Sequence, residues 1–203
     1  MIRAVAWDID GTLVDSEPAH HLALLEVSAR YGAPLTAEQA NFTGVAIDDV
    51  WEILSPLYPP SLSRSAWIDA IVDVYVAAAT KLEPIPGARE AALKLQDWGA
   101  PQGCVSNSER RIVEANLQAI GLTHCFAFAI AREDVARGKP DPEPYVLACR
   151  RFGLPPAQVL AVEDSDAGAD SARAAGLTVI RVDPAGEAFA AVVAAVRAGG
   201  FAP

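Results

Sequence analysis

Residues 4–11 read AVAWDIDG, and this short stretch decides how the chain is expected to fold. The run that begins at Ala4 is apolar, stops at Asp8 and is followed shortly by Gly11. Such a run, ending in an acidic residue and a glycine, is typical of a buried strand that enters a loop. The first strand is therefore expected to carry polar side chains at its carboxyl end.

Three further stretches repeat this pattern, and helical patterns separate them. Apolar or β-branched runs occupy residues 103–105, 159–162 and 178–182. Helical patterns occupy residues 88–98, 110–120, 142–152 and 167–175. Strands that alternate with helices predict right-handed crossovers and a mostly parallel sheet. The predicted fold class is α/β, with a Rossmann-like three-layer core around that sheet.

A long helical segment interrupts the alternation. Helical patterns recur there at residues 19–31, 46–57 and 65–79. Two prolines and a glycine within 82–87 cannot continue a helix, so they predict a hinge where the chain returns to the sheet. We expect a helical cap domain with its hinges at 15–84, inserted into a catalytic core formed by 1–14 and 85–203.

Composition and charge restrict the partners. With 203 residues, of which 52% are hydrophobic, the chain can bury one substantial core and a smaller second one. Its formal charge is -10 and it has no run of Lys or Arg, which argues against a nucleic acid or an anionic membrane as partner. These properties leave a small metabolite as the expected partner, and we expect a monomer or homodimer.

Cysteine usage and hydropathy predict the compartment. Cys104, Cys125 and Cys149 are scattered and form no metal-binding or disulfide pattern. The sequence shows no signal-peptide pattern and no apolar run long enough to span a bilayer. We therefore expect a soluble protein of the reducing cytoplasm.

Polar side chains stand at the predicted carboxyl ends of the strands, where ligands bind in open parallel sheets. The candidates from three strand ends and one loop are Asp8, Asp10, Ser106, Asn107, Lys139, Glu163 and Asp164. Four carboxylates in one crevice would repel one another unless a cation compensates them. Mg²⁺ prefers oxygen ligands and binds through carboxylates together with a substrate phosphate. Mg²⁺ is therefore the predicted cofactor.

The same residue types suit phosphoryl transfer. An aspartate such as Asp8 can accept a phosphoryl group, which splits one difficult displacement into two easier ones. Asp10 lies past the strand end and would protonate the leaving alcohol, then take a proton from water. Lys139 and the Ser106 hydroxyl would hold the phosphoryl oxygens, where charge accumulates.

Four segments also resemble a known family. In chain order they are DIDGTLVDSE at 8–17, VSN at 105–107, GKPDPEPY at 138–145 and VEDSDAG at 162–168. They are similar to the four motifs of the haloacid dehalogenase superfamily, in its helical-cap phosphatase branch, which also contains enzymes like β-phosphoglucomutase. The resemblance covers nearly the whole chain; Trp7 stands where the family usually has Phe.

The resemblance implies a role for each motif residue. Asp8 would be the nucleophile and Asp10 the acid/base. Ser106, Asn107 and Lys139 would bind phosphate. The metal would be held by the group Asp8, Asp10, Glu163 and Asp164, with Asp10 contributing its backbone carbonyl.

Single positions separate the chemistries within this superfamily. Dehalogenases lack the second aspartate of the first motif, whereas this chain has Asp10. Phosphonatase-like relatives need a cap lysine, and residues 15–80 contain none. The alternative is a sugar-phosphate mutase like β-phosphoglucomutase, whose cap loop supplies a lysine and an arginine for a second phosphate. This chain has Thr43 and Ile47 at those places, which favours a phosphatase.

Four cap residues are candidate contacts for the substrate: His20, Phe42, Thr43 and Ile47. Their mixture of apolar and polar groups suits a sugar phosphate or a similar small ester. Trp51, Trp67 and Tyr75 lie among apolar neighbours and are expected to form the core of the cap, and the same core is the alternative place for Phe42.

Overall fold

The computed structural model of the protein describes residues 1–42, 45, 47–182 and 188–202. The chain divides into two compact units. The α/β unit consists of Met1–Asp15 and Leu82–Pro203 and contains the sheet. The helical unit is Ser16–Lys81.

The sheet has five strands. They are β1 Ala4–Trp7, β2 Gln102–Val105, β3 Ala129–Ile130, β4 Val159–Glu163 and β5 Thr178–Arg181. Their order is β3-β2-β1-β4-β5, and every neighbouring pair is parallel. The α/β fold class with a parallel sheet is therefore confirmed.

Helices occupy most of the remaining described chain. The α-helices are α1 Glu17–Arg30, α2 Ile47–Leu54, α3 Arg64–Ala78, α4 Ala88–Asp97, α5 Arg110–Ala119, α6 Glu143–Phe152, α7 Asp166–Ala174 and α8 Phe189–Ala198. Short 3-10 helices lie at Ser55–Leu57, Ala79–Lys81, Thr123–Cys125, Arg132–Asp134 and Pro156–Gln158. None of the helices in the described part of the chain is long and apolar enough to cross a membrane.

Helices cover both faces of the sheet. Successive side chains of a strand point to opposite faces, so the contacts of neighbouring residues in β1 show which helices lie on each face. Ala4 and Ala6 of β1 belong to a buried cluster with Tyr145 of α6, which packs beside α7. On the other face Trp7 lies 6.2 Å from Phe189 of α8, ring centre to ring centre, and α8 packs on α4. Strands that are buried on both faces read as unbroken apolar runs, and β1 and the first four residues of β4 do so.

One buried polar chain connects β1, β2 and α4. The Trp7 indole donates to Oε1 of Gln102 at 3.0 Å, and Gln102 Nε2 donates to the carbonyl of Ala92 at 2.9 Å. Trp7 thus finds a hydrogen-bond partner that a phenylalanine would not need.

Two elements of the α/β unit were not predicted. The strand β3 has only two residues, too few to show a pattern, and α8 is apolar on nearly every side, so no periodicity marks it. The predicted helices agree with the observed ones to within a few residues at their ends, where assignments are least certain.

The helical unit has its own core. Helices α1 and α3 pack together. Trp67 and Tyr75 of α3 are buried, as predicted, and Trp51 of α2 lies 5.4 Å from Trp67 between ring centres. The Tyr58 hydroxyl and Ser28 Oγ are hydrogen-bonded at 2.8 Å. Aromatic rings therefore fill much of this small core.

Candidate active site

The carboxyl ends of β1 and β4 meet where the strand order reverses. From β1 the chain proceeds to β2 and β3 on one side, whereas β4 and β5 lie on the other side. Asp8 follows β1, Glu163 is the last residue of β4, and Asp164 comes next. Such a reversal point is where open parallel sheets bind ligands. The convergence expected from the sequence is present.

The three carboxylates form a tight, mostly buried group. One oxygen from each of Asp8, Glu163 and Asp164 lies within 4.8 Å of the others. Burial raises the pKa of Asp8 well above its ordinary value, and the charges of Glu163 and Asp164 raise it further, against the opposing effect of Lys139. Burial and Glu163 likewise raise the pKa of Asp164. Both carboxyl groups therefore hold their protons more strongly than an exposed aspartate does, unless a further cation favours their ionised forms.

Lys139 lies inside this group. Its Nζ donates to Asp8 Oδ1 at 2.7 Å and to Glu163 Oε1 at 2.5 Å, and its side chain is only 4% exposed. Burial alone would lower the pKa of Lys139, but Asp8 and Glu163 raise it above its ordinary value. Lys139 is thus a buried cation facing three carboxylates.

Glu163 is fixed from two further sides. The Tyr145 hydroxyl donates to Glu163 Oε1, and the Lys139 ammonium stands 5.4 Å from the centre of the Tyr145 ring. A Cβ on Gly168 would lie 2.0 Å from Glu163 Oε2, so only glycine leaves room for this carboxylate. Tyr145 is the last residue of the third motif, but it was not among the predicted site residues.

Asp164 is held by the loop after β1. Thr12 Oγ1 donates to Asp164 Oδ1 at 3.3 Å. Gly11 has a φ of 77°, and a Cβ there would lie 2.2 Å from Asp164 Oδ2. Gly11 is needed both for the left-handed turn and for the close approach of this carboxylate. Arg181 also donates to the main-chain carbonyl of Asp164.

Asp10 lies in the same loop, and three side chains donate to its carboxylate. Ser108 Oγ lies 2.8 Å and Ser106 Oγ 3.2 Å from Asp10 Oδ2. Asn116 Nδ2 lies 3.0 Å from Asp10 Oδ1. Ser108 and Asn116 were not among the predicted site residues. The one sequence signal for Asn116 was that it is a polar residue on an otherwise apolar helix face.

Ser106 and Asn107 follow β2 directly. Ser106 is 2% exposed, and its Oγ also accepts from the main-chain N–H of Ser108 at 2.9 Å. The Asn107 amide pairs with the main chain of Lys139, accepting at 2.8 Å and donating at 2.9 Å. Asn107 therefore fixes the loop that carries Lys139; that it binds phosphate as well stays a prediction.

The substrate residues predicted for the cap all belong to the helical unit. The His20 ring lies 4.5 Å from the Tyr75 ring between centres. Phe42 is half-buried, and Ile47 begins α2 and is also half-buried. Thr43 lies outside the described residues. Their contact with a substrate stays a prediction.

Comparison with known proteins assigns the family. A family model described as haloacid dehalogenase-like hydrolase matches residues 2–176. The chain belongs to this family. The resemblance of its four motifs to those of the haloacid dehalogenase superfamily is thereby confirmed.

Relatives of this haloacid dehalogenase-like hydrolase include named phosphatases. Fructose-1-phosphate phosphatase YqaB of Escherichia coli (strain K12) is 30% identical, over 87% of this chain and 94% of its own. Hexitol phosphatase B of the same organism is 31% identical, over 92% of this chain and 86% of its own. CbbY from Rhodobacter sphaeroides, solved in complex with phosphate, has a TM-score of 0.82 at 27% identity, over 90% and 87%. The chain is placed among the phosphoric monoester hydrolases of the family.

The residues present fit a divalent metal ion, which phosphatases of this family generally use. Asp8, Glu163 and Asp164 offer oxygen ligands of the kind that Mg²⁺ prefers. Lys139 opposes only part of the rise in the pKa of Asp8 and Asp164, and a divalent cation would favour their ionised forms further. The acidic group of the haloacid dehalogenase-like hydrolase is therefore suited to a hard cation.

Proposed function

We propose that this protein is a Mg²⁺-dependent phosphatase that hydrolyses the phosphate monoester of a small metabolite, a sugar phosphate or a similar ester, through an aspartyl phosphate on Asp8. The observation that carries this proposal is the buried contact of Lys139 with Asp8 and Glu163, beside Asp164, at the carboxyl ends of β1 and β4. This arrangement sets a nucleophilic carboxylate next to a fixed cation.

In the first half of the reaction an oxygen of the Asp8 carboxylate bonds to phosphorus as the ester P–O bond breaks. The leaving oxygen takes a proton from the Asp10 carboxyl group and departs as an alcohol. In the second half a water gives one proton to Asp10, and its oxygen bonds to phosphorus. The bond between phosphorus and Asp8 then breaks, which releases phosphate and restores the Asp8 carboxylate.

The remaining site residues hold the phosphoryl group. Lys139 would offer its ammonium to the equatorial oxygens, and Ser106 and Asn107 would add donors from the loop after β2. Asp8, Asp164 and the main-chain carbonyl of Asp10 would hold Mg²⁺, with Glu163 beside them. When bound, the ion would neutralise phosphoryl oxygens and so reduce their repulsion of the attacking carboxylate.

The substrate class rests on the relatives. Two of them are named for fructose 1-phosphate and for hexitol phosphatase activity, so small sugar or polyol phosphates are the substrates to test first. Selection among them is proposed to come from the helical unit, through His20, Phe42, Thr43 and Ile47. Mutase activity would need a second anion site; Ile47, at one of the two positions concerned, has an apolar side chain.

The test is Asp8→Asn assayed with p-nitrophenyl phosphate and Mg²⁺. Asparagine keeps the shape of the side chain but is a far weaker nucleophile, so kcat should fall by roughly a thousand-fold or more. Asp97→Asn is the matched control, since Asp97 is an exposed aspartate of the same unit at the end of α4, and it should keep full activity. Turnover retained by Asp8→Asn would remove Asp8 from the reaction.

The mutase alternative is decided in a second assay. Glucose 1-phosphate is incubated with the wild-type protein and Mg²⁺, and inorganic phosphate and glucose 6-phosphate are followed together. The proposal predicts that phosphate appears faster; faster formation of glucose 6-phosphate would replace the phosphatase by a mutase.

A further inference from the structure

Asn116 is a buried amide on an apolar helix face. Ile112, Val113 and Leu117 form the buried side of α5, and Asn116 lies among them with 0% of its surface exposed. Burying an amide costs free energy unless its polar atoms are hydrogen-bonded. An aliphatic side chain would fill such a position at no such cost, so the amide calls for a reason beyond packing.

Its contact with the proposed acid/base supplies that reason. Asn116 Nδ2 donates to Asp10 Oδ1 at 3.0 Å across 106 positions of sequence. The other carboxylate oxygen, Oδ2, accepts from Ser108 and Ser106. Because the two oxygens are held by donors from different elements, the plane of the carboxyl group is fixed. Replacing Asn116 by an apolar residue removes this donor to Oδ1 and leaves the donors to Oδ2 in place, so the orientation of the carboxyl group is less tightly fixed.

We propose that Asn116 is a positioning residue that orients the Asp10 carboxyl group for proton transfer. The inference rests on the proposed phosphatase mechanism and deepens it. An amide has both a donor and an acceptor, so it can bond the group whether or not Asp10 carries the proton. Proton transfer to a leaving oxygen depends on such orientation, because the donor must lie within hydrogen-bond reach of it.

The proposal predicts for which substrates kcat/KM falls when Asn116 is changed. An alkyl phosphate releases a strongly basic alkoxide, which needs a proton from Asp10. p-Nitrophenolate leaves without one. In Asn116→Leu, kcat/KM for an alkyl phosphate such as glycerol phosphate should fall about ten- to hundred-fold, whereas kcat/KM for p-nitrophenyl phosphate should stay within about three-fold. The constant kcat/KM covers the steps up to loss of the alcohol, so the rate at which the aspartyl phosphate is hydrolysed does not mask the difference.

Two further variants separate positioning from folding. Val113→Ala changes a buried residue on the same side of α5 and is the structural control; any loss there should be equal for both substrates. Ser108→Ala removes the 2.8 Å donor to the other oxygen and should reproduce the selective loss. If Asn116→Leu does not fold, as judged by circular dichroism, the Ser108→Ala variant decides the matter in its place.

Three outcomes are distinct. A selective loss with the alkyl phosphate supports the inference. Equal losses with both substrates, or none, overturn it while leaving the phosphatase proposal intact. Failure of the wild-type protein with Mg²⁺ to hydrolyse either ester overturns the phosphatase proposal, and the role of Asn116 with it.

Discussion

The two units of this chain differ in how their candidate functional residues are held. In the α/β unit, Asp8, Lys139 and Glu163 are almost fully buried and joined by short ionic hydrogen bonds. In the helical unit, His20 and Phe42 are only half-buried, and the His20 ring lies 4.5 Å from the Tyr75 ring between centres. Buried charges tolerate little change, because each needs its partner. The comparison teaches that chemistry and substrate selection should respond differently to mutation.

The largest effect is expected for Lys139→Met. This change removes the buried cation from Asp8 and Glu163, so kcat should fall about a thousand-fold, and the free energy of unfolding should drop by about 3 kcal/mol at neutral pH. The loss of stability should shrink in acid, because Asp8, whose pKa is raised by burial, takes up a proton there and no longer needs the cation. Steady-state assays and urea unfolding at two pH values measure both.

Lys81→Met is the matched control from the helical unit, because Lys81 is exposed. Its kcat and unfolding free energy should match those of the wild type. Equal effects of the two lysine changes would mean that the contrast between the units is mistaken.

A second prediction concerns pH and metal together. Burial and neighbouring carboxylates raise the pKa of Asp8 and Asp164 in the folded protein. The metal-free folded protein therefore binds more protons than the unfolded chain, and its stability falls as pH rises from the ordinary aspartate pKa of about 3.9 toward the raised values. A cation bound by Asp8 and Asp164 replaces the protons on their carboxyl groups and so removes this fall in stability with rising pH.

The gain in Tm on exchanging EDTA for Mg²⁺ should accordingly widen as pH rises. At roughly a hundred times the dissociation constant the ion would add about 2.7 kcal/mol. Thermal scans over a pH series measure the gain. Asp164→Asn should make the Tm gain from Mg²⁺ increase less with pH. Asp166→Asn is the control, because the Asp166 side chain is 97% exposed, and it should leave this increase unchanged. A gain that is constant or narrows with pH contradicts the assignment of the acidic group to a metal.

The smallest effect is expected in the helical unit. His20→Ala should lower kcat/KM for the best sugar phosphate by about ten-fold through KM. The same variant should keep kcat for p-nitrophenyl phosphate within about two-fold, since the reacting groups are untouched. His124→Ala, at an exposed histidine of the α/β unit, is the control and should change neither. A His20→Ala variant that loses kcat equally with both esters would assign this residue to the chemistry instead.

Some elements of the α/β unit could be predicted from the sequence and others could not. The runs that became β1 and β4 are unbroken and apolar because both faces of the sheet are covered, so these strands and the acidic residues at their ends were predictable. The two-residue β3 and the nearly uniform apolar α8 carry no periodic signal. Local pattern thus predicts the strands that position the nucleophile but misses elements without a pattern.

Long-range pairings were beyond the sequence for a different reason. The bonds from Asn116 to Asp10 and from Tyr145 to Glu163 start from helices. Asn116 stands in an ordinary helical pattern, and Tyr145 is the last residue of the third motif, but neither sequence neighbourhood indicates its partner. Only the strand order brings them together, and no single segment specifies that order. The motif residues were predictable because each stands at a strand end or a turn, whereas the supporting contacts of Asn116 and Tyr145 come from helix faces.

The central claim is that Asp8 carries the phosphoryl group between two halves of the reaction. The most direct measurement uses Asp10→Ala, which removes the acid/base while leaving the nucleophile. The variant is mixed with p-nitrophenyl phosphate and Mg²⁺, quenched in acid and examined by intact-protein and peptide mass spectrometry. The account predicts that one phosphoryl group accumulates on the peptide that contains Asp8. A phosphoryl group on another residue, or wild-type turnover with no phosphorylated protein in this variant, would contradict it.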